Sequence, residues 1–176
     1  MIWFYNSVNL LYELSNRDFV YLAGPFSVYS TIDWRKEFLN KIPLRYKYDF
    51  FIPNYWSESW TFEENSNIDN SIRLSQYEIY SLERSLLKKA WRTVFWFDKS
   101  ENSISKYSDI EFGNFIHPVK MLCGSPIEAK DIDYLKYIWE IEHEKYWHHD
   151  MTKLVDILCR DYDIIKNTHG LCVKED

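Results

Sequence analysis

Hydrophobic residues in this chain gather into short, separated runs, and the spacing within and between those runs predicts alternating strands and helices. Phe19-Val-Tyr-Leu-Ala23 is unbroken apolar and stops at Gly24-Pro25, as a buried parallel strand does when it ends in a tight loop. Tyr48-Asp-Phe-Phe-Ile52 ends the same way at Pro53-Asn54, Thr93-Val-Phe-Trp-Phe97 is the most strand-like run, and Val119-Lys-Met-Leu-Cys123 closes at Gly124-Ser-Pro126. Between these runs the period changes. Asp33 as an N-cap, followed by Trp34, Phe38 and Leu39, predicts a helix that stops before Pro43. Ile79, Leu82, Leu86 and Leu87 give an apolar side to a helix over 72–90. The segment opening Asp109-Ile-Glu111-Phe-Gly113 predicts the start of another, running through Phe115 and Ile116, and two further helical patterns cover 132–146 and 151–161.

Strands alternating with helices define an α/β fold, a doubly wound layer around a parallel sheet of about four or five strands. The organisation expected is a single domain. Residues 1–18, with Leu10, Leu11 and Leu14 at helical spacing, form a lead-in packed on it as an ornament; 19–125 are its α/β core and 126–176 a helical C-terminal portion. Residues 55–75 are rich in Trp, Ser, Glu and Asn without period and predict a long binding loop or lid, and 98–108 a second loop.

Composition narrows the picture. At 176 residues the chain can bury a core without disulfide or metal staples. Its 21 basic and 27 acidic residues give a net charge of −6 with no dense Lys/Arg stripe, so a nucleic-acid polymer is not an expected partner. Cys123, Cys159 and Cys172 form no even framework and no Cys-x-x-Cys pair, which fits free thiols in a reducing cytoplasm. With no basic stretch leading into an apolar one at the start, and no run of about 18 apolar residues, neither secretion nor a membrane partner is expected. Aromatic residues make up 19% of the chain, which supplies core volume and is compatible with a buried interface.

The candidate chemistry centres on Glu111. An apolar strand that runs out into a polar loop and then into Asp-Ile-Glu-Phe-Gly places that carboxylate at the carboxyl end of the sheet, where open α/β folds build their sites. Gly113 follows two residues later and, lacking a Cβ, lets backbone approach a ligand. Val20-Tyr-Leu-Ala-Gly24-Pro25, Asp33-Trp-Arg35, Phe50-Phe-Ile-Pro53, Leu82-Glu83 ahead of Ala90, Val94-Phe-Trp-Phe97 and Asp109-Ile-Glu-Phe-Gly113 occur in that order. In this order they resemble the nucleoside 2-deoxyribosyltransferase family, most closely its divergent branch, over roughly 19–125.

The resemblance implies a flavodoxin-like fold, cleavage of the N-glycosidic bond of a nucleoside or nucleotide, by deoxyribosyl transfer or by hydrolysis, and, because such relatives are often oligomers in which a neighbouring subunit completes the pocket, a homo-oligomer of at least two chains. It makes Glu111 the nucleophile that attacks C1' and, counting back from the strand, places Glu83 as the acid that binds or protonates the base, where the transferases more usually carry aspartate. Gly24, Pro25, Phe26, Asp33, Asp109 and Gly113 are the associated substrate-binding candidates, with no cofactor and no metal. Plainer roles also fit these residues. Glu111 could sit in a first helical turn favoured by the dipole, and Glu83 on a solvated helix face. Asp109 and Asp33 could be N-caps, Gly24 and Pro25 could shape a turn, and Phe26 and Trp34 could fill core. His143, His148, His149 and Asp150 read as a solvated helix end and not as a metal site, because adjacent histidines face different ways on a helix. With 4 glycines there is no dinucleotide fingerprint, and no phosphate-binding Gly-x-x-x-x-Gly-Lys occurs. A catalytically silent nucleotide-binding sensor and a protein-binding structural module are the alternatives to an enzyme.

Overall fold

The computed structural model of the protein describes residues 2–3, 14, 17–27, 34–53, 76–99, 103–104 and 106–169. Its strands are β1 (Ile2–Trp3), β2 (Phe19–Ala23), β3 (Phe26–Ser27), β4 (Asp49–Phe51), β5 (Arg92–Trp96), β6 (Ser103–Ile104) and β7 (Met121–Gly124). Its helices are α1 (Trp34–Lys41), α2 (Gln76–Lys89), α3 (Lys106–Phe115), α4 (Asp133–Tyr137), continued by a π-helical turn over Ile138–Glu142, and α5 (Met151–His169). Five strands form one sheet in the order β1-β4-β2-β5-β7 with every pairing parallel, while β3 and β6 pair antiparallel beside it.

The fold is the doubly wound α/β layer that the alternation of runs predicts, and the strand alternation shows why both sheet faces need helices. Phe19, Tyr21 and Ala23 of β2, with Phe95 and Phe97 at β5, join one core cluster together with Leu82, Leu86 and Leu87 of α2 and Phe112 of α3. The intervening Val20 and Leu22, with Val94 and Trp96, join a second cluster with Trp34 and Phe38 of α1 and Leu154, Val155 and Leu158 of α5. Side chains on a strand point alternately to its two faces, so an all-apolar run is stable only when both faces are covered. Each fully buried Phe or Leu contributes roughly 1.5–3 kcal/mol.

Several boundaries differ from expectation. Within the lead-in, Ile2–Trp3 is the edge strand of the sheet, paired with β4; most of the remaining lead-in lies outside the described residues, although Leu14 is buried in the core. The 98–108 segment is not all loop, since it holds β6 and the first three residues of α3. The pattern over 132–146 forms helix only to Glu142, because the chain widens into a π-turn and then leaves helical geometry at Glu144, which has a positive φ of 53°. Beyond it α5 runs eight residues past Asp161, to His169. Of the histidine cluster, His143 does end the π-helical turn and Asp150 accepts from Thr152 N–H at the start of α5, whereas His148 lies between the two and forms a parallel bridge with Gly124. No helix among the described residues is long and apolar enough to cross a membrane.

Candidate active site at the strand-order reversal

The sheet order turns at β2. From β2 the chain crosses to β4 on one side, and from β4 it returns past β2 to β5 on the other, which leaves a crevice beyond the carboxyl ends of β2 and β5. Gly24 closes β2 with φ +138°, a conformation costly for any residue with a Cβ, and a Cβ there would run into the carbonyl oxygen of Trp96. Pro25 follows, buried, and its carbonyl accepts a 3.3 Å hydrogen bond from the Trp34 indole. The far half of the rim is closed. Phe97 N–H donates to Gly124 O at 2.9 Å, His148 exchanges backbone bonds with Cys123 and Ser125, and the Trp147 ring stacks on Phe97 with centroids 5.6 Å apart.

Three charged side chains from three helices influence one another electrostatically. Arg35, one residue into α1, is 2% exposed; its Nε donates to Leu22 O at 3.3 Å and its Nη2 to Gly24 O at 2.8 Å, while the guanidinium lies 4.6 Å over the Trp34 ring. Glu83 is 7% exposed because it shares the inward stripe of α2 with Leu82, Leu86 and Leu87. Glu111 lies on the same side of α3 as the buried Ser108 and the half-buried Phe115, three and four residues away, next to the fully buried Phe112, and is itself half-buried. Burial above all, and then the negative charge of Glu83, push the Glu111 carboxyl from 4.5 up to about 8, against the opposing pull of Arg35. Two acids that resist simultaneous ionisation beside a fixed cation are a proton-handling arrangement, able to present one carboxylate and one carboxylic acid near neutral pH.

The plainer readings of both acids fail. Glu111 is the sixth residue of α3, beyond the reach of a first-turn dipole effect, and Glu83 is not solvated. Asp109 is no N-cap, since α3 begins three residues before it; its Oδ2 takes an ion pair from Lys99 Nζ at 2.9 Å. Lys99 is 5% exposed and also donates to Asp131 O at 3.0 Å, so it clips the first turn of α3 and the 130–132 turn to the end of β5. Gly113 is exposed with open space where a Cβ would stand, about 200° round the helix from Glu111, so it does not wall the same cleft. Trp34 takes the core role expected of it. Phe26 is in β3, paired through its backbone with Ile104, while Asp33 and the 55–75 loop lie outside the described residues.

Arg35 and Lys99 were not among the site candidates, although Arg35 stands in the Asp33-Trp-Arg35 motif. Arg35 carried a signal: it sits one residue after the buried Trp34 and three before the buried Phe38, which puts it on an inward flank of α1. Lys99 carried none, because in the polar run Asp98-Lys99-Ser100-Glu101 it looks like any loop cation.

Three surface pockets are bounded by described residues: one along α5 at Lys41, Arg45 and Asp163, one at Tyr48, Trp91 and Tyr162, and one beside β7 at Met121, Trp139 and His148. None of these three includes Glu83 or Glu111. Among the described residues no group of three or more His, Cys, Asp and Glu side chains could hold a metal ion.

No protein-family model matches the chain, and a search of the curated proteins finds no match. What the structure defines is a doubly wound α/β protein in which the carboxyls of Glu83 and Glu111 act on one another.

Proposed function

We propose that this protein cleaves the N-glycosidic bond of a nucleoside or nucleotide, with Glu111 as nucleophile and Glu83 as proton donor. One observation supports the reading: Glu83, buried on α2, and Glu111, half-buried on α3, are close enough that the charge of one opposes ionisation of the other. As the C1'–N bond breaks, its electron pair goes to the base nitrogen, which takes the proton of Glu83, while an ionised oxygen of Glu111 bonds to C1'. Positive charge building on the sugar ring is stabilised by that carboxylate. In the second half, water or the nitrogen of an acceptor base attacks C1', gives its proton to Glu83 and releases Glu111. The singly protonated pair is the form that can begin this cycle, and the raised Glu111 pKa keeps a proton on the pair near pH 7.

The same reading carries a cytoplasmic setting and self-association, for which the exposed row of Tyr134, Tyr137 and Ile141 along α4 and its π-turn offers a surface. Incubation with a panel of nucleosides and 5'-nucleotides of both sugars, with free base followed by chromatography, tests the activity. Base release that drops by about a thousandfold or more in Glu111→Ala is the expected result. Tight binding without release would instead favour a nucleotide-binding sensor, and an added acceptor base separates transfer from hydrolysis. Release undiminished by Glu111→Ala would refute the assignment.

A further inference from the structure

The border strand β7 has beside it a cavity of about 310 Å³. It is lined by Met121 and Leu122 of the strand, by Trp139 and Tyr146 from the π-helical turn and the segment after it, and by Ile157 of α5. Bonds that need no ligand hold these elements in place. His148 N–H donates to Cys123 O at 3.1 Å, the Trp139 indole to Tyr146 O at 3.1 Å, and Arg92 joins the start of β5 both to Val119 O and to the Asp161 carboxylate of α5. The cavity is therefore preformed, and its size falls within the range of small-molecule sites, about 300–1,000 Å³.

The charges around it do not balance. Arg92 and Asp161 border the cavity and cancel one another, with Nη2 at 2.8 Å and Nε at 3.1 Å from one carboxylate oxygen. Two further cations remain, Lys145 on the segment after the π-helical turn and Arg160 on α5, and neither makes an ion pair or a side-chain hydrogen bond among the described residues. Burial lowers the His148 pKa below 6.5, so its ring adds no charge at neutral pH. The cavity on the other side of Arg160 lacks this excess, because Asp156 and Asp163 line it together with Lys41 and Arg45. In a chain of net charge −6, the cavity beside β7 is a local site of positive potential over an apolar, aromatic lining.

We propose that this cavity is a second binding site, for a small aromatic carboxylate whose ring lies among Met121, Leu122, Trp139 and Ile157 and whose anionic group is held by Lys145 and Arg160. Neither Glu83 nor Glu111 lines it, so the assignment is independent of the proposed reaction. Burial of the ring supplies affinity. The two cations are exposed, and their part is to select the charge of the ligand.

Three probes with one ring system separate these roles: naphthoate, neutral naphthamide and the naphthylmethylammonium cation. Binding is followed by nitrogen-15 NMR of the full chain, at the Trp139 indole N–H and the amides of Leu122 and Ile157. Naphthoate should shift these signals with a Kd below about 1 mM, naphthamide should bind about tenfold more weakly, and the cation should not bind. Lys145→Ser/Arg160→Ser should reduce naphthoate to the affinity of the amide while leaving the amide unchanged, and each single substitution should give part of that loss. Glu111→Gln should leave naphthoate binding as it is. Shifts that do not saturate, equal binding of the three probes, naphthoate held as tightly by the double variant, or binding lost in Glu111→Gln would each overturn the proposal. No nucleoside enters this experiment, so its failure leaves the base-release assay to decide the reaction, and a protein that releases no base can still bind naphthoate here.

Discussion

Replacing Glu111 by Gln keeps the shape of the side chain and removes the group whose ionisation burial opposes, so stability should become less dependent on pH. A carboxyl whose folded pKa is raised binds its proton more tightly in the native state than in the unfolded one. Stability it contributes is complete below the unfolded value of 4.5 and is lost as pH rises through the folded value of about 8. Each pH unit of difference corresponds to about 1.4 kcal/mol, so the gap between 4.5 and about 8 sets an upper limit near 5 kcal/mol. Glu111 is only half-buried, and local relaxation and water entry reduce the cost of forcing the charge to about 2 kcal/mol. For a chain of 176 residues that corresponds to about 4–8 °C in Tm. Thermal melts followed by circular dichroism at pH 5 and pH 9 give the comparison. Glu111→Gln should melt with the wild type at pH 5 within about 1 kcal/mol, and several degrees above it at pH 9. An equal displacement at both pH values, or a variant less stable than wild type at pH 9, would refute the claim that burial and Glu83 oppose this charge.

Gly24→Ala should destabilise by about 3 kcal/mol or more, because a left-handed backbone is combined with a Cβ driven into the Trp96 carbonyl; an unchanged urea midpoint would contradict it. Lys99→Met should cost about 2 kcal/mol by removing the Lys99 cation from its ion pair with Asp109, and Asp109→Asn should recover part of that loss in a double-mutant cycle. Additive effects of the two substitutions would argue against the clip at the end of β5.

The parallel core was legible because its strands are buried on both faces, which makes Phe19–Ala23 and Thr93–Phe97 continuous apolar runs ended by Gly24 and Asp98. The first strand was matched to the residue. Glu83 was legible only through motif order, since its burial depends on α2 lying against α3. The start of α3 was missed because Asp109 looks like a cap, whereas tertiary pairing with Lys99 engages its carboxylate inside the helix. The break at Glu142 was hidden for a related reason: the apolar period continues through Ile138 and Ile141, but the Trp139 indole bonds to Tyr146 O, and Lys145 N–H to Trp139 O, so the chain folds back over the sheet end. Two-residue strands such as β1, β3 and β6 are too short to show any period at all.

The passage from Trp147 to Met151 carries the chain round the β7 border, from the cluster that holds Trp139 to the cluster that holds Leu154 and Leu158. During synthesis, therefore, the face made by Val20, Leu22 and Val94 can be covered only in part, by Trp34 and Phe38 of α1, until residues 151–159 have left the ribosome. By then β2, the innermost strand, has existed for more than a hundred residues with that cluster incomplete. Final closure relies on contacts between the earliest strand of the core and the last described helix, a long-range dependence that should make folding slow relative to helical proteins of equal size.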